Sequence, residues 1–147
     1  MATFNKINGF VEHKNEGVHD LGSDQLAVAL SNTAPGSETP DPSVLTADAI
    51  LANVTEATYT NCSTRNITTI SSAQTTGTYK LDLTDLVLTA SGGTVGPFRY
   101  VYLYNDTPSS PADPLIGYYD YGSSITLADG ETLTIDFDNT SGALTDA

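Results

Sequence analysis

The chain has 147 residues, 15.4 kDa, and 18 acidic against 5 basic side chains, a formal charge of −13. Phosphate backbones and anionic membrane surfaces require clustered Lys and Arg, and Lys6, Lys14, Arg65, Lys80 and Arg99 are scattered, so no nucleic-acid partner and no membrane partner is expected. The length suits a single domain over residues 1–147 that buries roughly 68–70% of its unfolded surface, and the lone Cys62 excludes an intrachain disulfide.

Thr, Ser, Asp and Asn are abundant, which suits strands joined by many turns. Phe4, Ile7, Phe10 and Val11 are spaced like one helix face. Residues 3–15 are expected to form a short helix or an ordered arm within an N-terminal segment 1–20, although Gly9 weakens a helix. The start, Met-Ala-Thr-Phe-Asn-Lys, has no apolar core of the signal-peptide kind, so no secretory signal is expected. Leu26, Val28 and Leu30 alternate and predict a strand over 24–31. Three prolines and a glycine make 35–43 a loop. Ala47 to Ala52 fits one helical turn, 58–70 fits short strands or extended chain, and Ser71 to Gly77 reads as a turn.

Tyr79, Leu81 and Leu83 then alternate on odd positions, and Leu86 and Leu88 on even ones. The slip at Thr84-Asp85 implies a bulge or kink. Ser91-Gly92-Gly93 is a turn before the run Phe98-Arg99-Tyr100-Val101-Tyr102-Leu103-Tyr104. Strand periodicity puts Phe98, Tyr100, Tyr102 and Tyr104 on one face and Val101 and Leu103 on the other. A strand apolar on both faces lies between two layers or meets another molecule. Residues 107–114 form an exposed loop, and Leu115 to Tyr121 the next strand. The strand carrying Ile125 and Leu127 is expected to pair with the one carrying Leu133, Ile135 and Phe137, Ile125 opposite Leu133, across Ala128-Asp129-Gly130, a three-residue hairpin with Gly in the left-handed region. Seven or eight strands point to an all-β, antiparallel β-sandwich of the jelly-roll or immunoglobulin-like kind.

No nucleophile elbow, metalloprotease helix, phosphate loop or C-x-x-C is present. The expectation is therefore a non-enzyme without cofactors. His13 and His19 could ligate a metal only with a third ligand, and none is evident nearby. Asp136 and Asp138 share a strand face opposite Ile135 and Phe137, as a solvated ladder does. Six of eight tyrosines lie between Tyr100 and Tyr121, and there is no Trp. Such a concentration can be core, a protein interface or a platform for sugars. The candidate contact residues are Phe4, Phe10, Val11, Phe98, Tyr100, Tyr102, Tyr104, Tyr118, Tyr119 and Tyr121.

G-P-F-R-Y-V-Y-L-Y-N-D, P-L-I-G-Y-Y-D-Y-G-S-S and L-A-D-G-E-T-L-T-I-D-F-D resemble a family of small structural proteins of tailed bacteriophages. So do F-N-K-I-N-G-F-V-E, G-V-H-D-L-G-S-D, A-L-S-N-T-A-P, T-N-C-S-T-R-N-I-T-T and G-T-Y-K-L-D-L-T-D-L-V-L-T-A-S-G-G, so the resemblance spans nearly the whole chain. It implies a virion protein made in the host bacterial cytoplasm. The expected role is capsid decoration, or cement: binding the outer surface of the major capsid protein shell, with self-association as a trimer. A tail or neck component, or a module binding host glycans, is the alternative. An envelope polysaccharide hydrolase would need two carboxylates in a groove.

Overall fold

The computed structural model describes residues 2–147. Its elements in chain order are β1 (Phe4–Lys6), α1 (Asn8–Asn15), β2 (Leu26–Ser31), β3 (Asn66–Ile67), β4 (Thr69–Thr75), β5 (Thr78–Leu83), β6 (Leu86–Thr89), β7 (Val95–Asn105), β8 (Leu115–Leu127), β9 (Thr132–Ile135) and β10 (Leu144–Asp146). Three single 3-10 turns, Pro35–Ser37, Thr46–Asp48 and Leu51–Asn53, punctuate the stretch after β2. All strand pairings are antiparallel. One sheet has the order β1-β8-β7-β2-β3, a second β10-β5-β4, and a third consists of β6 and β9. The all-β, sandwich-like architecture is as expected. Seven described strands have four or more residues, and the shorter ones carry too few side chains to register as alternation.

The inner core lies between the five-stranded sheet and the two smaller ones. Leu26, Val28 and Leu30 of β2 and Val101 and Leu103 of β7 face Leu81 and Leu83 of β5, Leu86 and Leu88 of β6, Ile135 and Phe137. Burying each such side chain contributes about 1.5–3 kcal/mol, so this layer dominates the stability. Phe10 of α1 and Leu21 belong to the same cluster.

The outer face of the five-stranded sheet is also covered. Tyr100, Tyr102 and Tyr104 lie there with Ala27, Ala29, Leu115 and Ile7, beneath Ala34, Ala49, Leu51 and Val54. The covering segment, residues 34–54, is a strap pinned by backbone hydrogen bonds. Leu115 N donates to Ala49 O (2.9 Å), Leu51 N to Asp113 O (3.0 Å) and Asn8 N to Ser43 O (3.3 Å). Beyond it, Ala57 N donates to Leu30 O (2.7 Å). The sequence makes room for the rings by pairing large with small: Ala27 lies opposite Tyr104, and Ala29 opposite Tyr102. All six β2 residues are consequently buried. Gly9 has a similar purpose, since a Cβ there would come within 2.6 Å of Ala49 Cβ and 2.8 Å of Thr46 Cα. The glycine that weakens α1 locally is what lets α1 press against the strap.

Four expectations are corrected. The first concerns 71–77, which is mostly strand: β4 pairs with β5 through Thr75 and Thr78, and only Thr76-Gly77 turns, both with positive φ. An edge strand exposed on both faces needs no apolar alternation, so Ser-Ser-Ala-Gln-Thr reads as loop. Secondly, Ile125 and Leu127 do not pair with β9. Residues 115–127 form one strand, in which Ile125 and Leu127 lie opposite Phe98 and Val95, while Leu133 and Ile135 lie opposite Leu88 and Leu86. The turn at 128–131 does form, with Glu131 N donating to Ala128 O (2.9 Å) and Gly130 at φ +84°. It joins two sheets rather than two paired strands. Both pairings satisfy the inward pattern, so the pattern alone could not choose between them.

The third correction is to Phe98, which lies in the inner core with Val101 and Leu103, not with the tyrosines. The ladder is irregular there: Phe98 lies opposite Ile125 and Tyr100 opposite Asp120, so two steps along β7 match five along β8. Finally, residues 3–15 combine a short strand with a helix, because Phe4–Lys6 pairs with Tyr119–Gly117 before α1 begins. The slip at Thr84-Asp85 is the kink form, since it carries the chain from the β5 sheet to the β6 sheet.

Candidate functional site

The ten candidate contact residues separate by burial. Tyr102 and Phe98 are fully buried, and Phe10, Tyr100 and Tyr104 nearly so. This chain's own layers occupy those five side chains, which corrects their assignment to a contact surface. For Tyr100, Tyr102 and Tyr104 the cover is the strap, whose few apolar residues carry no periodicity and whose destination the sequence does not disclose, while Phe10 and Phe98 lie in the inner core. Phe4, Tyr118 and Tyr119 are half-buried, while Val11 and Tyr121 are 41% and 50% exposed.

The structure gathers three of the accessible aromatics, Phe4, Tyr119 and Tyr121, at one place. Phe4 of β1 packs on Tyr119 with ring centroids 5.3 Å apart. Gly117 permits this, because a Cβ there would collide with the Phe4 ring. Tyr119 and Val101 form the floor of a cleft of about 270 Å³ whose far wall is Leu133, Thr134, Ile135 and Asp136 of the β9 segment. Ala2 and Tyr121 complete the lining. The cleft is the gap between the five-stranded sheet and β9, left open on one side. It continues along β1 past Ala2, Thr3 and Asn5, and past Asp138, Gly142 and Ala143.

Tyr121 owes its exposure to the irregular register. The extra residues of β8 bow away from β7, and Tyr121 to Ser124 are all exposed. Asp120 anchors the bow. Its carboxylate accepts Arg99 Nε at 2.7 Å and Nη2 at 3.0 Å, and also Gly122 N at 2.8 Å. These bonds, Arg99 first, hold its pKa below the ordinary carboxylate value. Burial raises the Tyr119 phenol to about 12, and the charges of Asp136 and Asp138 push the same way. Both carboxylates therefore act on the cleft floor.

Accessible apolar side chains elsewhere are Val11 on α1 and Val44 (53% exposed) and Leu45 (59%) on the strap. Thr46 Oγ1 donates to Glu12 Oε2 (2.8 Å) and binds the strap to the helix beside it. The sequence reading missed Val44 and Leu45. Two adjacent apolar residues after a proline-rich loop were the only available signal.

His13 and His19 do come together, with ring centroids 6.1 Å apart, and Phe10 lies 5.0 Å from His19. The fully buried Asn105 donates from Nδ2 to Asp24 Oδ2 (2.6 Å) and to His19 Nδ1 (3.2 Å). That bond leaves the His19 proton on Nε2, which has no partner, and His13 Nδ1 has none either. Burial, followed by the neighbouring His13, lowers the His19 pKa to about 4, and burial lowers that of His13. Among the described residues no group of three His, Cys, Asp or Glu is placed to hold a metal ion. Nor, among the described residues, is any helix long and apolar enough to cross a membrane. Compared with known protein families, curated proteins and solved structures, the chain finds no match.

Proposed function

We propose that this protein is a structural binding protein of a bacteriophage particle, a capsid decoration protein that attaches to the outside of the major capsid protein shell and braces it. The observation that carries the binding reading is the apolar cleft between β9 and the Tyr119–Val101 floor, open at a sheet edge and rimmed by Tyr121. Apolar floors with aromatic walls and polar rims are the anatomy of protein contact sites. The resemblance of the strands around this cleft to phage structural proteins supports the shell as the partner. Many copies on a fixed lattice add up to strong bracing even where each contact is modest.

Self-association uses the exposed apolar side chains of α1 and the strap in this reading. Val11, Val44 and Leu45 bring copies together as a homo-oligomer, a trimer on the three-fold positions of the shell. Cosedimentation with expanded empty shells tests the whole: binding saturating at a fixed ratio to shell subunits is expected, and its absence would remove the reading. Leu45→Asp is expected to shift the oligomer toward monomer in sedimentation velocity without changing the melting temperature.

One observation favours a tail or neck protein that binds host glycans. Tyr121 is half exposed beside Asp120, Asn5 and Thr3, which pairs an aromatic face with hydrogen-bonding groups. Copies confined to one vertex of the particle, with glycan binding lost in Tyr121→Ala, would decide for it.

A further inference from the structure

Among the described residues, no strand pairs with the β9 edge beside the cleft. β9 pairs only with β6, in the register Leu86 to Ile135, Val87 to Thr134, Leu88 to Leu133 and Thr89 to Thr132. Ala90 N donates to Glu131 O (3.0 Å), which marks that opposed pair as hydrogen-bonded. Antiparallel ladders alternate hydrogen-bonded and non-bonded pairs. Leu133 and Ile135 therefore direct their backbone groups toward β6, and Thr132 and Thr134 direct theirs outward. Their side chains alternate as well: Thr132 and Thr134 are exposed, while Leu133 and Ile135 line the cleft.

Natural edge strands are usually protected by Lys, Pro, a bulge or a covering element. Thr132-Leu133-Thr134-Ile135 has none of the first three, and Thr134 lines an open cleft. Its protection is acidic. Glu131 and Asp136 bracket the strand, and Asp136 and Asp138 act on the cleft floor. Two copies pairing antiparallel through this edge would set Glu131 of one near Asp136 of the other, and like charges across a ladder are destabilising. A chain of charge −13 is thus a poor partner for itself here.

We propose that the β9 edge receives an extended segment of a different protein as an added strand, whose alternate apolar side chains enter the cleft and whose flanking Lys or Arg side chains meet Asp136 and Asp138. Main-chain hydrogen bonds to Thr132 and Thr134 supply part of the affinity, and pockets for alternate side chains supply specificity. The inner side chains of the guest extend the row formed by Leu133 and Ile135 over Val101 and Tyr119. This rests on the binding reading above only in taking the cleft as a protein contact.

Selection from a displayed library of randomised seven-residue peptides tests it. The expected consensus alternates aliphatic residues and carries Lys or Arg at its ends. Its synthetic peptide should slow amide exchange at Thr132 and Thr134, and bind more weakly as salt rises. Thr134→Pro removes an outward N–H that the β6 ladder does not use, so the fold survives while affinity falls about tenfold or more. Asp136→Lys should select acidic ends instead. No enrichment, or a consensus indifferent to Thr134→Pro in a variant of unchanged circular dichroism, overturns the proposal. Shell binding by the unaltered protein, set beside its peptide binding, separates the two readings. Shells bound without peptides leave the shell reading intact and remove strand addition. Peptides bound without shells do the reverse.

Discussion

The two ends of the aromatic cluster have opposite fates. Tyr102 and Tyr121 lie on neighbouring strands, yet one is fully buried under the strap and the other is half exposed at the cleft rim. On the sealed side a segment with little regular structure covers three tyrosines through Ala49, Leu51, Val54 and Ala34. On the open side no described segment covers the gap between β9 and the five-stranded sheet. A run of tyrosines therefore does not by itself mark a contact surface. Availability does, and it depends on which loops return over which face.

The largest effect that would break this contrast comes from the sealed side. Tyr102→Ala should destabilise the fold by about 3–5 kcal/mol in urea unfolding, as large-to-small core changes do. Gly9→Val should cost about 1–3 kcal/mol by overpacking, because Ala49 and the Thr46 backbone leave no room for the side chain. Hydrogen exchange would show the loss concentrated in α1 and residues 34–54, with β9 unchanged.

Acid should loosen the packing around α1 and residues 19–21 first. His13 and His19 have folded pKa values below the ordinary 6.5, so the unfolded chain binds protons before the folded chain does. The His19 contribution is fully present above pH 6.5 and is lost as pH falls toward about 4, and that of His13 is lost in the same direction. Asn105 sharpens the effect, since a second proton on His19 would sit at Nδ1, where Asn105 Nδ2 now donates. Asp120, Asp138 and Asp146 also have lowered pKa values, held by Arg99, by the Ser141 and Thr140 amides, and by Lys14 respectively. Their loss begins as pH falls through the ordinary carboxylate range, below the histidine step. Melting temperature against pH should show two steps, and His13→Gln with His19→Gln should remove the upper one.

The smallest stability effects separate the two sides most cleanly. Tyr121→Ala should leave stability within about 0.5 kcal/mol while weakening whatever binds the cleft. Tyr102→Phe should be neutral or slightly stabilising, because the Tyr102 hydroxyl is buried without a partner. A large loss in Tyr102→Phe would mean that this hydroxyl is satisfied in solution.

Much of the sandwich was legible where alternation is strong. Leu26, Val28 and Leu30, then Leu81, Leu83, Leu86 and Leu88, marked their strands and their inward faces. The N-terminal segment was half legible, since Phe10 and Ile7 proved buried but Phe4 belongs to a strand. The polar β4 was illegible, because an exposed edge carries no burial signal. The cleft was legible only as a list containing Tyr119 and Tyr121 among residues that turned out to be core. No local feature reveals that β9 leaves β8 for β6 and so opens the gap.

By itself the sequence determined the class of fold, the acidic surface and the periodic strands, because these follow from composition and from side-chain alternation along a few residues. Tertiary structure alone decided which strands pair, which face the strap covers and where the cleft remains. Those outcomes depend on contacts between segments distant in the chain. Leu133 can satisfy its pattern equally well against Ile125 or Leu88, and only the packing of the whole selects Leu88.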